Sequence, residues 1–178
     1  MGLMALMLLQ DSRRATRADP SGSAVRLRDQ DRSQWDRGEI REGVELVGEA
    51  LRRTPTAPDP YVVQAAIAAC HALAPTYGST DWDAILSWYD VLLGVQPTDV
   101  VRLGRASAVA ERDGAVAGLE AVDAIPGLTA YPWWHAARAE LLHRLGRDDD
   151  AHAARDDAVA AGLGDAATAT LDASLAAP

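Results

Sequence analysis

The sequence predicts an all-α fold, an array of helical hairpins entered through an N-terminal linker helix. Three observations predict it. Apolar residues recur with helical spacing along nearly the whole chain, and strand-like alternation is almost absent. Clusters of turn-forming residues, DPSGS, TPTAPDP and PTYGST, break these stretches at short intervals. The segment around Gly114 can be laid over the segment around Gly146, so the chain contains an internal repeat.

The first helix is expected over residues 2–17. MGLMALMLLQ resembles a signal peptide only briefly, because it has no basic leading region or small-residue cleavage site and DSRRATR follows at once. Its apolar run is far short of the roughly 20 residues that cross a bilayer. The expectation is a soluble, cytoplasmic protein without a membrane contact. A helix apolar on all sides is stable only when covered on all sides. At the start of a chain it calls for a neighbour upstream, or for self-association through the Leu3–Leu9 surface.

After Asp19 the chain turns, and Ala24 to Leu27 reads as a short extended piece. Asp36 to Arg53 is an amphipathic helix with Ile40, Val44, Val47 and Leu51 on one stripe. Arg41 with Glu45, and Glu49 with Arg53, form outer pairs four residues apart. TPTAPDP breaks this helix. Asp59 caps the next one with Pro60 at its first position, where no N–H is missed. Its Ala-rich body, YVVQAAIAACHALA, allows close approach of a neighbour. Thr80 with Asp83 reads as a capping box. It opens a helix from Asp81 to Gln96, with Trp82, Ile85, Tyr89 and Leu92 turned inward. Further helices are expected over residues 99–112, 115–124, 133–145, 148–161 and 166–175, giving eight or nine in all.

The repeat places Gly114 on Gly146, an offset of 32 residues, close to the 34 of tetratricopeptide repeats. In the second copy Ala139, Gly146, Ala151 and Ala158 stand where that repeat needs small residues. Arg138 and Arg155 stand where it prefers large apolar ones. The division expected is residues 1–35 as linker helix and junction, and residues 36–178 as a tetratricopeptide-like repeat domain. Such arrays offer surfaces to partners and rarely carry catalysis.

Composition narrows the function further. The 178 residues carry 17 Arg, no Lys and 26 acidic residues, for a net charge of -9. An acidic chain without clustered cations is a poor binder of phosphate backbones, so direct DNA binding is not expected. Nearly all the negative charge lies beyond residue 58. The single cysteine, Cys70, forms no internal disulfide and reads as a small core residue.

LRDQDRSQWDRGEI, residues 27–40, gathers Asp29, Asp31 and Asp36 with Arg28, Arg32, Arg37 and Trp35. As a calcium loop it fails, with Gln34 where Gly is needed and Ile40 where a bidentate Glu is needed. As an acid/base pair Asp29 and Asp31 are surrounded by arginines, which lower carboxylate pKa values, whereas a general acid needs a raised one. Architecture remains: carboxylates at a helix start, and arginines bridging segments. RDDDAHAARDD, residues 147–157, places Asp148 or Asp149, His152 and Asp156 on one helix side, but without a second ligand cluster it reads as an acidic helix start. Cys70 and His71 point about 100° apart on a helix and cannot act as a nucleophile–base pair. His135 follows Trp133-Trp134 as a packed or contact residue. No phosphate loop, dinucleotide fingerprint, nucleophile elbow or zinc-protease motif occurs. Neither an enzymatic activity nor a cofactor or metal is expected.

MALMLLQDSRRATR, LRDQDRSQWD, PYVVQAAIAACHA, STDWDAILSWYDVLL, VVRLGRASAVAERDG and HAARAELLHRLGR, in this order, resemble the C-terminal extension of a subgroup of bacterial extracytoplasmic-function RNA polymerase sigma factors. The resemblance runs from about Gly2 to Gly162. One departure is Gly104, where the family often has Asn before the Arg105-Ala106 pair. The two promoter-binding helical domains of such factors are not in this sequence. The resemblance implies a regulatory, protein-interaction role in transcription initiation, with the sigma factor's N-terminal domains or core RNA polymerase as partners. Junction or partner-contact residues are then expected among Asp11, Arg13, Arg14, Asp29, Asp31, Arg32, Trp35, Arg105, His135 and Arg138. Two other readings stand beside it. One is a free-standing repeat adaptor. The other is a small-molecule sensor with Trp82, Trp88, Trp133 and Trp134 lining a pocket.

The junction reading has Asp29, Asp31 and Arg32 tying the first helix to the array with Trp35 beneath. It predicts that Asp31→Ala lowers the thermal unfolding midpoint.

Overall fold

The computed structural model describes residues 1–20, 22–54 and 58–176. Part of the break expected at TPTAPDP, residues 55–57, lies outside the described residues. Among the described residues the fold is all-helical. Nine α-helices form: α1 (Gly2–Asp11), α2 (Arg37–Arg53), α3 (Pro60–Leu73), α4 (Trp82–Val95), α5 (Asp99–Asp113), α6 (Ala115–Asp123), α7 (Pro132–Arg144), α8 (Asp148–Ala160) and α9 (Asp165–Leu175). Four 3-10 turns join them, and Ala24, in the piece expected to be extended, makes an isolated bridge to Ala18. No helix is long and apolar enough to cross a membrane. The helices fall into two compact units, residues 1–97 and 98–178.

In the first unit α1 packs against both α2 and α3, and α3 against α4. Ala5 and Leu9 of α1 join Trp35, Ile40, Val47, Ala65, Ala66, Ala69 and Ala72 in one core. Two glycines let α1 sit this deep. A Cβ on Gly43 of α2 would stand 2.7 Å from Leu9 Cγ, and one on Gly2 would stand 2.7 Å from the Val62 backbone nitrogen. The α2 stripe is therefore Ile40, Gly43, Val47 and Ala50, with Val44 and Leu51 half-buried beside it. The outer pair Arg53–Glu49 forms as expected.

The first helix ends at Asp11, six residues earlier than the pattern suggests. A continued helix would have the Thr16 N–H bond the Ser12 carbonyl. That carbonyl instead accepts from the Asp36 N–H (2.8 Å), and the Thr16 N–H turns to Arg13 (3.1 Å). A tertiary bond thus ends α1 and fixes the start of α2 beside it. The caps of α2 and α3 fall as expected. Asp36 accepts from Gly38 and Glu39, and Asp59 from Tyr61 with Pro60 at the first position. The cap of α4 does not. Asp81 accepts from Ala84, while Thr80 is buried as a partner of Arg32. A reciprocal capping box occurs instead at Thr76 and Ser79. On α4, Ile85, Leu86 and Leu92 are buried, whereas Trp82 and Tyr89 are half-buried.

The second unit is two successive helix pairs, α5–α6 and α7–α8, closed by α9, which packs on α7 and α8. This is the hairpin array that the repeat implies. Gly114 and Gly146, the superposed glycines, both have positive φ (95° and 70°) at the turn inside each pair. At Gly146 the helix closes with the Arg147 N–H on the Leu142 carbonyl (3.0 Å) and the Gly146 N–H on His143 (2.8 Å), a glycine C-cap. Ala139, Ala151 and Ala158 are fully buried at the positions that need small residues.

The two arginines that depart from the repeat pattern have their own partners. Arg138 lies over the Trp134 ring, 4.9 Å from its centroid, and donates to Asp123 of α6 (2.6 Å). Arg155 forks onto both oxygens of Asp172 of α9 (2.7 and 2.8 Å). An arginine stem can cover apolar surface while its fork joins the next helix.

Two outcomes follow for stability. Gly43→Leu overpacks the α1–α2 contact and lowers unfolding free energy by about 1–3 kcal/mol. Gly114→Ala forces a side chain into a glycine conformation at a similar cost of about 1–3 kcal/mol. Calorimetric midpoints of the two variants check both.

Candidate functional site

The residues between α1 and α2 fold back over the C-terminal end of α3. Arg32 is the hinge of this arrangement. It is buried, at 5% exposure. Its guanidinium donates to the carbonyls of His71 (2.7 Å) and Ala74 (2.9 Å) and reaches the Thr80 hydroxyl (3.4 Å). The last carbonyls of a helix have no partner within it and carry partial negative charge, so a cation there is stabilising. The guanidinium also lies over Trp35 (4.9 Å) and Tyr77 (5.9 Å). These contacts replace a carboxylate as its counter-charge.

Trp35 is buried beneath it. Its indole N–H donates to the Thr16 hydroxyl (3.0 Å), and that hydroxyl in turn faces the Arg13 carbonyl (3.1 Å) and Gln30. Arg28 covers the other aromatic, 5.3 Å from the Tyr77 centroid. Trp82 of α4 meets both His71 and Tyr77 edge-on. The junction thus joins α1, α3 and α4 through one arginine and three aromatic rings.

The two carboxylates of the expected tie act locally instead. Asp31 is exposed. It caps its own turn, with Oδ1 accepting from the Ser33 N–H and hydroxyl and Oδ2 from Gln34. These bonds hold its carboxyl below the usual range. Asp29 pairs with Arg26 three residues away (2.7 Å). Only Arg32 and Trp35 of that stretch reach other elements, because both carboxylates are already engaged within their own turns. At the end of α1, Asp11 pairs with Arg14 and faces Glu39. The Glu39 carboxyl is pushed up, first by burial and then by the charges of Asp11 and Asp36. Arg13 donates to Gln10, and burial lowers its pKa from the ordinary arginine value.

His71 was not among the expected contact residues, yet it is the most perturbed group here. Burial lowers its pKa to about 4, assisted by the charges of Arg32 and Arg13. Its Nδ1 is buried without a partner. The signal in the sequence was weak: a histidine in the last turn of an alanine-rich helix. Cys70 beside it is half-buried, and burial pushes its thiol up.

The remaining expected residues lie in the second unit. His135 and Arg138 flank Trp134 on α7, whose indole N–H donates to the Val122 carbonyl of α6 (2.9 Å). His135 meets the Thr129 carbonyl (2.8 Å) and stands 3.8 Å from Asp157 of α8. Arg105 is half-buried on α5. A second arginine acts as Arg32 does: Arg144 of α7 donates to the Ala110 carbonyl near the end of α5 (3.2 Å) and to Glu111 (2.7 Å). The tryptophans of the sensor reading divide between the units, Trp82 and Trp88 on α4, Trp133 and Trp134 on α7. Among the described residues no cluster of three or more metal-ligating side chains is gathered.

On the far side of α1, Leu3, Met4 and Met7 are each at least half-exposed. They hold an apolar surface outward while Gly2, Ala5 and Leu9 anchor the opposite side.

Residues 1–51 match a family described as of unknown function, DUF6596. Over 161 residues, 90% of the chain, the sequence is 44% identical to an uncharacterized protein of Rhizobium meliloti (strain 1021). The chain spans 38% of that relative's length. No solved structure matches.

Arg32→Ala removes the cap of α3 and the cover of two rings, and is expected to cost about 3 kcal/mol. Asp31→Ala removes only a local cap, for about 1 kcal/mol. Thermal midpoints of the two variants, ranked in that order, check the assignment. His71 gives a pH dependence. The unfolded chain takes up its proton near 6.5, whereas the folded chain does so only at about 4. Stability is therefore full above pH 6.5 and declines as pH falls towards 4, by up to about 3 kcal/mol. A His71→Gln variant measured by urea unfolding across this range should have a flatter profile.

Proposed function

We propose that this chain is the C-terminal, protein-binding part of a longer sigma factor of the extracytoplasmic-function kind. In this reading it works in the cytoplasm without catalysis or a cofactor. It supports transcription initiation through contacts with the factor's N-terminal domains or with core RNA polymerase, and does not itself bind promoter DNA. The order of motifs from MALMLLQ to HAARAELLHRLGR supports the family. The net charge of -9 supports protein rather than nucleic-acid contacts. The length of the Rhizobium relative leaves room for further domains in proteins of this type.

The observation that carries the reading is the outward surface of α1. Leu3, Met4 and Met7 stand in solvent on a helix whose other side is locked by Gly2 and Gly43. The helix cannot roll to bury them, so their cover must come from elsewhere. Exposed apolar surface of this kind marks a contact site, and methionine adapts readily to a partner's shape.

The reading frame upstream of the Met1 codon is the first test. Two helical, arginine-rich domains encoded there support the reading, and a stop codon with a ribosome-binding site overturns it. The second test is promoter-directed transcription by core polymerase with the longer polypeptide. Met4→Glu together with Met7→Glu is expected to lower transcript yield about tenfold without changing the unfolding midpoint of the 178-residue chain. Unchanged yield would remove α1 as the contact.

A further inference from the structure

A cavity of about 40 Å³ lies between the end of α1 and the last turns of α3. Its walls include Leu9, Trp35 and Ala72, and its polar side is Gln10, Arg13 and His71. We propose that this cavity is a binding site for a small monovalent inorganic anion of chloride's size.

Three features of the lining carry this. First, the charge inside is of one sign. The charged groups acting on His71 are Arg32 and Arg13, and the one acting on Arg13 is Arg17. Removing a cation from water without a counter-charge is costly. Arg32 is met by helix-end carbonyls and by the Trp35 and Tyr77 rings. The Arg13 guanidinium has only been given the neutral amide oxygen of Gln10. Second, a donor stands ready. The buried Nδ1 of His71 has no partner, and a neutral imidazole protonated there can donate. Arg13 has further N–H groups to offer. Third, the size is selective. The volume takes one ion or one water, whose share of liquid volume is about 30 Å³. It excludes a polyhydroxylated organic acid. A water would satisfy Nδ1 and leave the positive potential as it is, whereas an anion meets both.

The bound ion would join Arg13 at the end of α1 to His71 on α3. It would act as a pin between the helix that carries the exposed Leu3–Met7 surface and the body that holds it.

The test uses the full 178-residue chain at neutral pH and constant ionic strength, with sodium chloride replaced stepwise by sodium gluconate. Chloride is expected to raise the unfolding midpoint, and the ³⁵Cl resonance is expected to broaden saturably with protein present. Arg13→Gln should weaken the apparent chloride affinity about tenfold, the value of one charge-assisted contact. Arg14→Gln, an exposed neighbour already paired with Asp11, should leave it as in the wild type. Three results would each overturn the site: no chloride-specific broadening in the wild type, which is the outcome if water fills the cavity; equal broadening with Arg13→Gln; or equal loss with Arg14→Gln, which would mark general screening of surface arginines. If Arg13→Gln does not fold, the wild-type titration decides alone.

Discussion

The Arg32 guanidinium at the end of α3 is the contact on which the first unit depends. It is a buried cation whose charge is met by the carbonyls of His71 and Ala74 and by two aromatic faces. Lysine could not take its place. An ammonium is a compact, strongly hydrated point charge, whereas a guanidinium is planar, weakly hydrated and able to donate in two directions while stacking. The same logic recurs where Arg144 reaches the end of α5 and where Arg155 forks onto Asp172. A chain with 17 arginines and no lysine can use its cations as struts between helices.

Close approach is the second constraint, and it is linked to the first. Helix α1 is too apolar to stand alone and too short to be stable by propensity. It is held because Gly2 and Gly43 let its backbone come within packing distance of α3 and α2. The Asp36 N–H then takes the Ser12 carbonyl and stops the helix. This stop frees residues 12–16 to turn, which puts the Thr16 hydroxyl under the Trp35 indole. Arg32, Trp35 and the end of α1 therefore form one connected piece. In the second unit the corresponding close contact is Gly118 against Ala110, where an added Cβ would stand 2.3 Å from the alanine Cβ.

Helix number, most boundaries and the hairpin array were legible because they rest on local signals. Asp59-Pro60 is a start whatever surrounds it, and Gly114 and Gly146 mark turns through their own backbone freedom. The failures all involve partners distant in sequence. The end of α1 depends on a bond to Asp36, and Thr80 lost its capping role to Arg32, which lies 48 residues away. Arg32 itself sits in a run of alternating charges, where neighbouring carboxylates look like its natural partners. The structure gives those carboxylates to Ser33, Gln34 and Arg26, and sends the arginine inward. His71 was passed over because nothing local marks it. Its perturbation arises from burial and from two arginines brought together only by the fold.

The extent of the family match bears on what the smallest working piece of this protein is. Residues 1–51 hold α1, the junction and nearly all of α2. Every atom that receives the Arg32 fork, on His71, Ala74 and Thr80, lies beyond that boundary. So do the Val62 backbone that meets Gly2 and the alanines of α3 that complete the core with Ala5 and Leu9. A 51-residue piece would therefore expose a buried cation, an indole and the inner side of α1 at once. The matched segment owes its conformation to α3 and α4, and a sequence change on those helices can alter the junction without touching it. The outward surface of α1 inherits the same dependence, because its orientation is set by contacts on the opposite side of the helix.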